Sequence, residues 1–254
     1  MRKLILPLLA AAFLAGAGSA ARAHEGPELL HPGFSFEGVM GRYDPAALKR
    51  GFQVFHEVCS NCHSLNRVAY RSLAAIGLTP AQIKSLAAER EIQDGPNDEG
   101  QMFMRPGRPS DAYIPPFPNK QAAAAANGGA APPDLSLMAK ARKGGPNYIY
   151  SLMLGFEDTP PADVKIPDGK FYNTVFPGHA ISMPPPIQDD VVTYADGTKA
   201  TKEQITRDVV TFLNWAAEPE LDERKSLGLE VLAFLAVLTA LLYALKRQIW
   251  KDVH

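Results

Sequence analysis

The feature that most constrains this 254-residue chain is the pentapeptide Cys59-Ser60-Asn61-Cys62-His63, which contains both of its cysteines. Thiols three residues apart lie on one side of a helical turn, so both can form thioethers with the vinyl groups of a single haem. The imidazole of His63 then faces the iron. This C-x-x-C-H spacing is typical of covalent haem attachment. It predicts one haem c bound through Cys59 and Cys62, with His63 as an axial ligand of the iron.

Two other uses of a C-x-x-C pair are less well supported. A thioredoxin-like dithiol is expected within a βαβ pattern, which the sequence does not contain. A structural zinc site would need further thiolates or imidazoles at suitable spacing. A disulfide framework is excluded because two cysteines cannot build one.

Residues 1–23 have the layout of a secretory signal peptide. A basic Met1-Arg2-Lys3 start precedes an apolar run, and Ala21-Arg22-Ala23 offers small residues where a signal peptidase cleaves. An uncleaved anchor is the alternative, but the short apolar run favours cleavage before His24. Export agrees with the haem motif, because c-type haem is attached outside the cytoplasm.

The segment Leu227–Leu245 is a candidate transmembrane helix. Its nineteen residues would span about 28 Å, close to the hydrocarbon thickness of a bilayer. A buried soluble helix would show a polar stripe, and this segment has Glu230 as its only charge. The basic residues of the tail 246–254 predict that it lies in the cytoplasm. We therefore expect residues 24–226 to form a periplasmic haem domain anchored in the inner membrane, in contact with the lipid bilayer.

Between its ends the chain is predicted to be mainly helical with long loops, consistent with its 22 prolines. The net charge of −1 argues against a partner that is a nucleic acid. Caps or capping boxes predict helices after Asp44, Thr79 and Thr201, and shorter ones from Asp134 and Pro146. Asp168-Gly169 and Asp196-Gly197 predict hairpin turns, with a short strand at 191–194, and 105–133 is predicted to be mostly loop around an alanine tract at 121–127.

The sixth iron ligand is predicted to be Met183. It lies just before three prolines, which fix the backbone and suit a thioether held rigidly against a metal. A thioether ligand favours Fe(II) and raises the potential, as in electron-transfer cytochromes. His179 is the second choice, and Met102 and Met104 remain possible.

The ordered set of motifs resembles the cytochrome c1 family, bacterial type, the haem subunits of the quinol–cytochrome c oxidoreductase (cytochrome bc1) complex. The similarity runs through nearly the whole mature chain, including the anchor and its basic tail. Its marks are RGFQVFHEVCSNCHSL at 50–65, RPG at 105–107, PPDLS at 132–136, MPPP at 183–186 and FLNWAAEPE at 212–220.

The resemblance implies His63 and Met183 as axial ligands and a fold similar to class I cytochromes c with enlarged loops. It implies electron transfer from a Rieske iron–sulfur protein to a soluble c-type cytochrome, in a dimeric complex with cytochrome b. By the same comparison Arg105 is expected to neutralise a haem propionate. Tyr113 is a weaker propionate candidate, because the family pattern around it is shifted by one residue. Pro132 or Pro133 is expected to offer a carbonyl to the ring N–H of His63.

Two other functions stay open from the residues alone. A haem enzyme such as a peroxidase would require that Met183 does not bind the iron. A free-standing membrane-anchored electron shuttle would share the chemistry but not the partners. Residues 24–226 carry a net charge of −5, and we expect their acidic stretches to steer a basic partner. These stretches are Glu89, Glu91, Asp94, Asp98 and Glu99, and Glu157, Asp158, Asp163 and Asp168.

Overall fold

The computed structural model describes residues 27–162 and 164–252, so the predicted signal peptide lies outside the described residues. The described part is mainly helical, with small antiparallel sheets and one apolar C-terminal helix, which confirms the predicted fold class. The helices are α1 Pro45–Glu57, α2 Pro80–Ala88, α3 Lys120–Ala126, α4 Met138–Ala141, α5 Gly145–Leu154, α6 Lys202–Ala217 and α7 Leu221–Ile249, with 3-10 turns at Cys59–Asn61 and Tyr70–Ile76. The strands are β1 Leu65–Ala69, β2 Glu91–Asp94, β3 Phe103–Pro106, β4 Ala112–Tyr113, β5 Phe171–Tyr172 and β6 Ala180–Ile181, paired antiparallel as β1–β4, β2–β3 and β5–β6.

Helices α1 and α2 begin where their capping residues predict. Asp44 accepts a hydrogen bond from the backbone N–H of Ala46 at 2.9 Å, ahead of a proline in the first turn of α1. At the start of α2, Thr79 and Gln82 form both halves of a capping box. These contacts satisfy amide groups that have no partner inside a helix, and they depend only on residues close in sequence.

At α6 the predicted capping box is only half formed. Thr201 caps the helix by accepting from the backbone N–H of Gln204 at 3.2 Å. The Gln204 side chain, however, donates to Asp208 at 3.0 Å, and the backbone N–H of Thr201 donates to Lys199 at 3.0 Å. The Gln204 side chain bonds Asp208 because this carboxylate is fully buried, and a buried charge without hydrogen-bond donors is costly.

Two of the local structures predicted from the sequence do not form, because groups that would build them make hydrogen bonds with distant residues instead. Asp134 does not begin a helix; α4 begins at Met138, and the Asp134 carboxylate binds the chain near Asn66 instead. No strand forms at 191–194, although exposed and buried residues alternate there. A glutamine side chain, that of Gln53, donates to the Thr193 carbonyl at 3.0 Å.

The predicted hairpin turns form as turns, but not as hairpins. Residues 168–169 make a turn, yet β5 after it pairs with β6, which lies further along the chain. At 196–197 the turn joins segments that are not strands. In the region 105–133, predicted to be mostly loop, the alanine tract lies largely in helix α3, and the region also contains the end of β3 and all of β4. These strands are only two to four residues long, too short for a period of two to be recognised in the sequence.

The core is centred on the packing of α1 against α6. A Cβ atom at Gly51 would lie 2.0 Å from the carbonyl oxygen of Asp208, so only glycine permits this close approach. Around it the ring of Phe212 packs against Phe52 and Phe55, with centroid distances of 5.5 and 5.6 Å. Trp215 stacks on the other side of Phe212.

An ion pair fastens the same two helices. The Arg50 guanidinium donates to both carboxylate oxygens of Asp208, at 2.8 and 3.0 Å, and to Asp196 at 2.9 Å. The hydrogen bonds that Arg50 donates to these carboxylates, above all to Asp208, raise the pKa of Arg50. Since α1 leads directly into Cys59, this packing fixes the position of the proposed haem attachment.

The C-terminal helix α7 starts six residues before the predicted membrane span and is continuous for 29 residues, about 44 Å. In the described part of the chain it is the one helix long and apolar enough to cross a bilayer. Its first turns are tied to the N-terminal part of the described chain, because the Lys225 ammonium donates to three backbone carbonyls between residues 36 and 41 and Ser226 accepts from Arg42.

Candidate functional site: a haem attachment turn

The two cysteines lie on a 3-10 turn that follows α1 without a break. The backbone N–H groups of Cys62 and His63 both donate to the carbonyl of Cys59, at 3.1 and 2.9 Å. Because a 3-10 helix has three residues per turn, side chains at i and i+3 are eclipsed. Cys59 and Cys62 therefore project from the same side, as two thioethers to one porphyrin require.

Side chains of the turn complete the end of α1. Ser60 Oγ donates to the carbonyl of His56 at 2.7 Å, and Asn61 Nδ2 donates to that of Glu57 at 3.0 Å. These bonds satisfy carbonyls that have no partner at a helix C-terminus. Burial, together with the neighbouring Cys62, raises the pKa of the free Cys59 thiol to about 12, which indicates apolar surroundings.

The imidazole of His63 has a single hydrogen-bond partner in the described structure, the backbone carbonyl of Pro133, 2.7 Å from Nδ1. Burial lowers the pKa of His63, against the opposing effects of Pro133 and Asp134, and so favours the neutral ring. A neutral imidazole that donates through Nδ1 keeps the lone pair of Nε2 for a metal. Of the two prolines considered, the one in contact with His63 is Pro133.

Hydrogen bonds to Asp134 link the segment that contains Pro133 to the residues just after His63. Its carboxylate accepts from Asn66 N at 2.7 Å, Ser64 Oγ at 2.8 Å and Ser136 N at 3.0 Å. Burial by itself would raise the pKa of Asp134, but these hydrogen bonds outweigh it and the pKa is lowered. The sequence motif PPDLS contained this residue, but its pattern gave no sign that the carboxylate bonds a segment 70 residues away.

Met183 lies two residues after β6 and is half-buried, between the buried side chains of Ile181 and Ile187. The backbone around it has no regular structure. Asn173 organises the loop before β6: fully buried, it accepts from the backbone N–H groups of residues 175 and 176, each at 3.0 Å, and donates to Leu152 at 2.8 Å.

The alternatives to Met183 are in different situations. His179 has a left-handed backbone (φ 58°) and its Nδ1 lies 3.0 Å from the Asn173 carbonyl. Met102, just before β3, and Met104, on β3, are both more than half exposed.

Arg105 and Tyr113, the proposed propionate contacts, both have protein partners. Arg105 pairs through Nε with Asp94 and through both terminal nitrogens with Asp111, at 2.7 and 3.1 Å. Nη1 of Arg105 also donates to the Pro106 carbonyl. One hydrogen of the guanidinium, on Nη2, therefore stays available for a propionate. Tyr113 is buried opposite Leu65 in the β1–β4 pair.

The hydroxyl of Tyr113 lies 2.5 Å from Nδ1 of His56. Sequence reasoning missed this contact. The two residues are 57 positions apart, and no local pattern links them.

The donor set fits a c-type haem better than a bare metal ion. Among the described residues no three His, Cys, Asp or Glu side chains are grouped as metal ligands. Two thiols on one side of a turn, an imidazole with a free Nε2 and a half-buried thioether are instead the groups that attach and ligate a haem.

The Cytochrome C1 family model matches residues 34–253. Among the relatives, cytochrome c1 of Rhodospirillum rubrum is 58% identical over 97% of this chain and 96% of its own length. The "Cytochrome b/c1" protein of Bradyrhizobium diazoefficiens is 47% identical over 96% of this chain, which covers 39% of that longer protein. The "Cytochrome b-c1 complex catalytic subunit, mitochondrial" of Candida albicans is 50% identical over 88% of this chain and 79% of its own.

These matches define a protein of the cytochrome class with one C-terminal helix that is long and apolar enough to cross a membrane. The chain belongs to the cytochrome c1 family, and the resemblance inferred from the ordered motifs is confirmed.

Proposed function

We propose that this chain is the electron-transfer subunit of a cytochrome bc1 complex, carrying one haem c bound covalently through Cys59 and Cys62. The observation that carries the proposal is the position of His63. It directly follows the thiol pair and is held at Nδ1 by Pro133, so that Nε2 is free for iron. Met183 is the proposed ligand on the opposite face. The haem, when bound, supplies reversible one-electron chemistry at its iron.

The protein's part is to position the haem and set its potential. Burial of the attachment turn lowers the local dielectric, and a thioether ligand favours Fe(II). The remaining Nη2 hydrogen of Arg105 is proposed to meet a propionate, with the Tyr113 ring as part of the haem surroundings. No substrate bond is made or broken in this subunit, which receives one electron and passes on one electron.

The partners follow from the family. We propose a Rieske iron–sulfur protein as donor and a soluble c-type cytochrome as acceptor. Association with cytochrome b is supported by the Bradyrhizobium relative, whose name joins cytochromes b and c1 in one protein. We further propose a dimeric complex in the inner membrane, with the haem domain in the periplasm and α7 as its anchor, after cleavage of a signal at residues 1–23.

Purification in mild detergent tests this assignment. We expect a pigment that remains attached after denaturation, a reduced-minus-oxidised spectrum of a low-spin c-type cytochrome, and co-purification with cytochrome b and an iron–sulfur subunit. A haem that binds carbon monoxide in the native protein would favour the haem-enzyme alternative. A pigmented chain that purifies without other subunits would favour the free-standing shuttle.

A further inference from the structure

His56 lies in the last turn of α1, three residues before Cys59, and both of its ring nitrogens face polar partners. Nδ1 is 2.5 Å from the hydroxyl of Tyr113, and Nε2 is 3.5 Å from a carboxylate oxygen of Glu89. The ring also stacks on Phe52, with the centroids 5.9 Å apart. Its side chain is 30% exposed and that of Glu89 is 53% exposed, so a proton from solvent can reach the pair.

The network accommodates both charge states of His56. In the neutral ring Nδ1 accepts from the Tyr113 hydroxyl, and the proton on Nε2 faces Glu89. When Nδ1 gains a proton, this bond reverses and His56 donates to the Tyr113 oxygen. The carboxylate of Glu89 then stabilises the imidazolium.

Charged and titratable groups lie near His56 on several elements. Glu89, the C-cap residue of α2, is its ion-pair partner, Arg90 follows Glu89 in sequence, and Glu57 is the next residue of α1. Tyr113 comes from β4, with Tyr70 stacked on it at a centroid distance of 4.9 Å. Burial raises the pKa of both tyrosines, so they stay neutral near pH 7. Histidine is the residue type in this set that ordinarily changes charge between pH 5 and 8.

The position of His56 couples its charge to the attached group. His56 and Cys59 are three residues apart on the helical run from α1 into the 3-10 turn, and on a helix surface Cβ atoms at this spacing lie about 5–6 Å apart. Cys59 is partly buried against the hydrophobic core, where charges are screened less than in water. A positive charge at this point favours the reduced haem, which carries one positive charge fewer than the oxidised haem.

We propose that His56 is a redox-linked proton site. When the haem accepts an electron from its donor, Nδ1 of His56 takes up a proton from water, and when the electron leaves, the N–H bond breaks and the proton returns to water. This inference rests on the proposed function, because it requires a haem bound at Cys59.

The test is a redox titration of the full chain in its membrane complex, followed by haem absorbance from pH 5 to pH 9. We expect the midpoint potential to fall with rising pH, with a slope below the one-proton limit of about 59 mV per pH unit. In His56→Gln, whose amide can still bond Tyr113 but cannot gain a proton, the slope should disappear and the potential should stay at the alkaline value. In Glu89→Gln the transition should move to lower pH.

The matched control is His31→Gln, a change at a histidine of the N-terminal segment that contacts Asn147. It should keep the wild-type slope. The proposal is overturned by a wild-type slope in His56→Gln, by a flat wild-type profile with a normal haem spectrum, or by an unmoved transition in Glu89→Gln. A chain without covalent haem would overturn the proposed function as well, so the two failures can be told apart.

Discussion

The two proposed iron ligands are fixed by different means. His63 follows α1, whose position is set by buried packing and an ion pair with α6, and its ring is oriented by Pro133. Met183 lies in irregular backbone after the two-residue strand β6, and the loop before that strand is organised by the buried side chain of Asn173. One side is held by hydrogen bonds between segments far apart in sequence, the other by a local loop.

Prolines also restrict the backbone next to Met183. Three of them follow the methionine and fix φ, which lowers the number of conformations the unfolded chain can adopt. A thioether needs no hydrogen bond to orient it, whereas an imidazole needs a partner that selects its tautomer. The contrast therefore follows from the chemistry of each ligand.

Breaking the Met183 side at its ligand should have the largest effect. In Met183→Leu we expect the haem to remain covalently attached, because the bonds to Cys59 and Cys62 do not depend on the sixth ligand. Its midpoint potential should fall by roughly 200 mV, a fraction of the ~0.8 V range that axial ligands cover. Carbon monoxide should gain access to the iron. Redox titration and carbon monoxide difference spectra measure both, and a variant with an unchanged potential that still excludes carbon monoxide would remove Met183 as the ligand.

Destabilising the loop before β6, on the Met183 side, should have the next largest effect. Asn173→Ala removes three hydrogen bonds and leaves buried backbone donors without a partner, so we expect the free energy of unfolding to fall by about 3 kcal/mol. Urea unfolding followed at the Soret band measures this. Asn119→Ala, which removes only the exposed cap of α3, is the control and should cost about 1 kcal/mol. Equal losses in the two variants would show that Asn173 does not organise the loop.

On the His63 side the expected effect is smaller and depends on pH. Asp134 is half-buried, and its pKa is lowered by the bonds it accepts. A carboxyl whose pKa is lower in the folded state stabilises the fold above its unfolded pKa, about 3.9, and loses that contribution as pH falls through the folded pKa. Asp134→Asn should therefore cost about 1 kcal/mol at pH 7, after allowance for solvent screening. The difference from wild type should shrink as pH falls through the folded-state pKa of Asp134. A constant difference between pH 7 and pH 2 would mean that the charge contributes nothing.

The two acidic stretches named above concern the next step, electron transfer from the haem to a soluble acceptor. We expect the second-order rate of electron transfer to a basic soluble cytochrome c to fall with ionic strength, because steering acts over about 10 Å at 0.1 M salt. The structure places Asp98 and Glu99 in the exposed β2–β3 loop beside exposed apolar side chains, whereas Asp94 is paired with Arg105.

Stopped-flow kinetics over a range of salt concentrations measures this dependence. Charge reversal at Asp98 and Glu99, or at Glu157 and Asp158 of the second stretch, should flatten it; Asp163 of that stretch lies outside the described residues. Glu37→Lys, near the base of the anchor, should leave the dependence unchanged. If neither pair of reversals alters it, docking depends on apolar contacts instead.

What the sequence determined by itself was local chemistry. The attachment motif at 59–63, the caps at Asp44 and Thr79 and the apolar run within α7 each involve residues within a few positions of one another, so turn geometry and hydrophobicity suffice to recognise them. The order of such motifs also identified the family. The tertiary structure decided which proline, Pro132 or Pro133, contacts His63. It also decided the hydrogen bonds of Asp134 to the chain after His63 and the contact of His56 with Tyr113. These contacts join side chains and carbonyls 57 to 70 residues apart. Which distant group satisfies a buried donor or acceptor depends on how the helices pack, and the pattern of neighbouring residues does not contain that information.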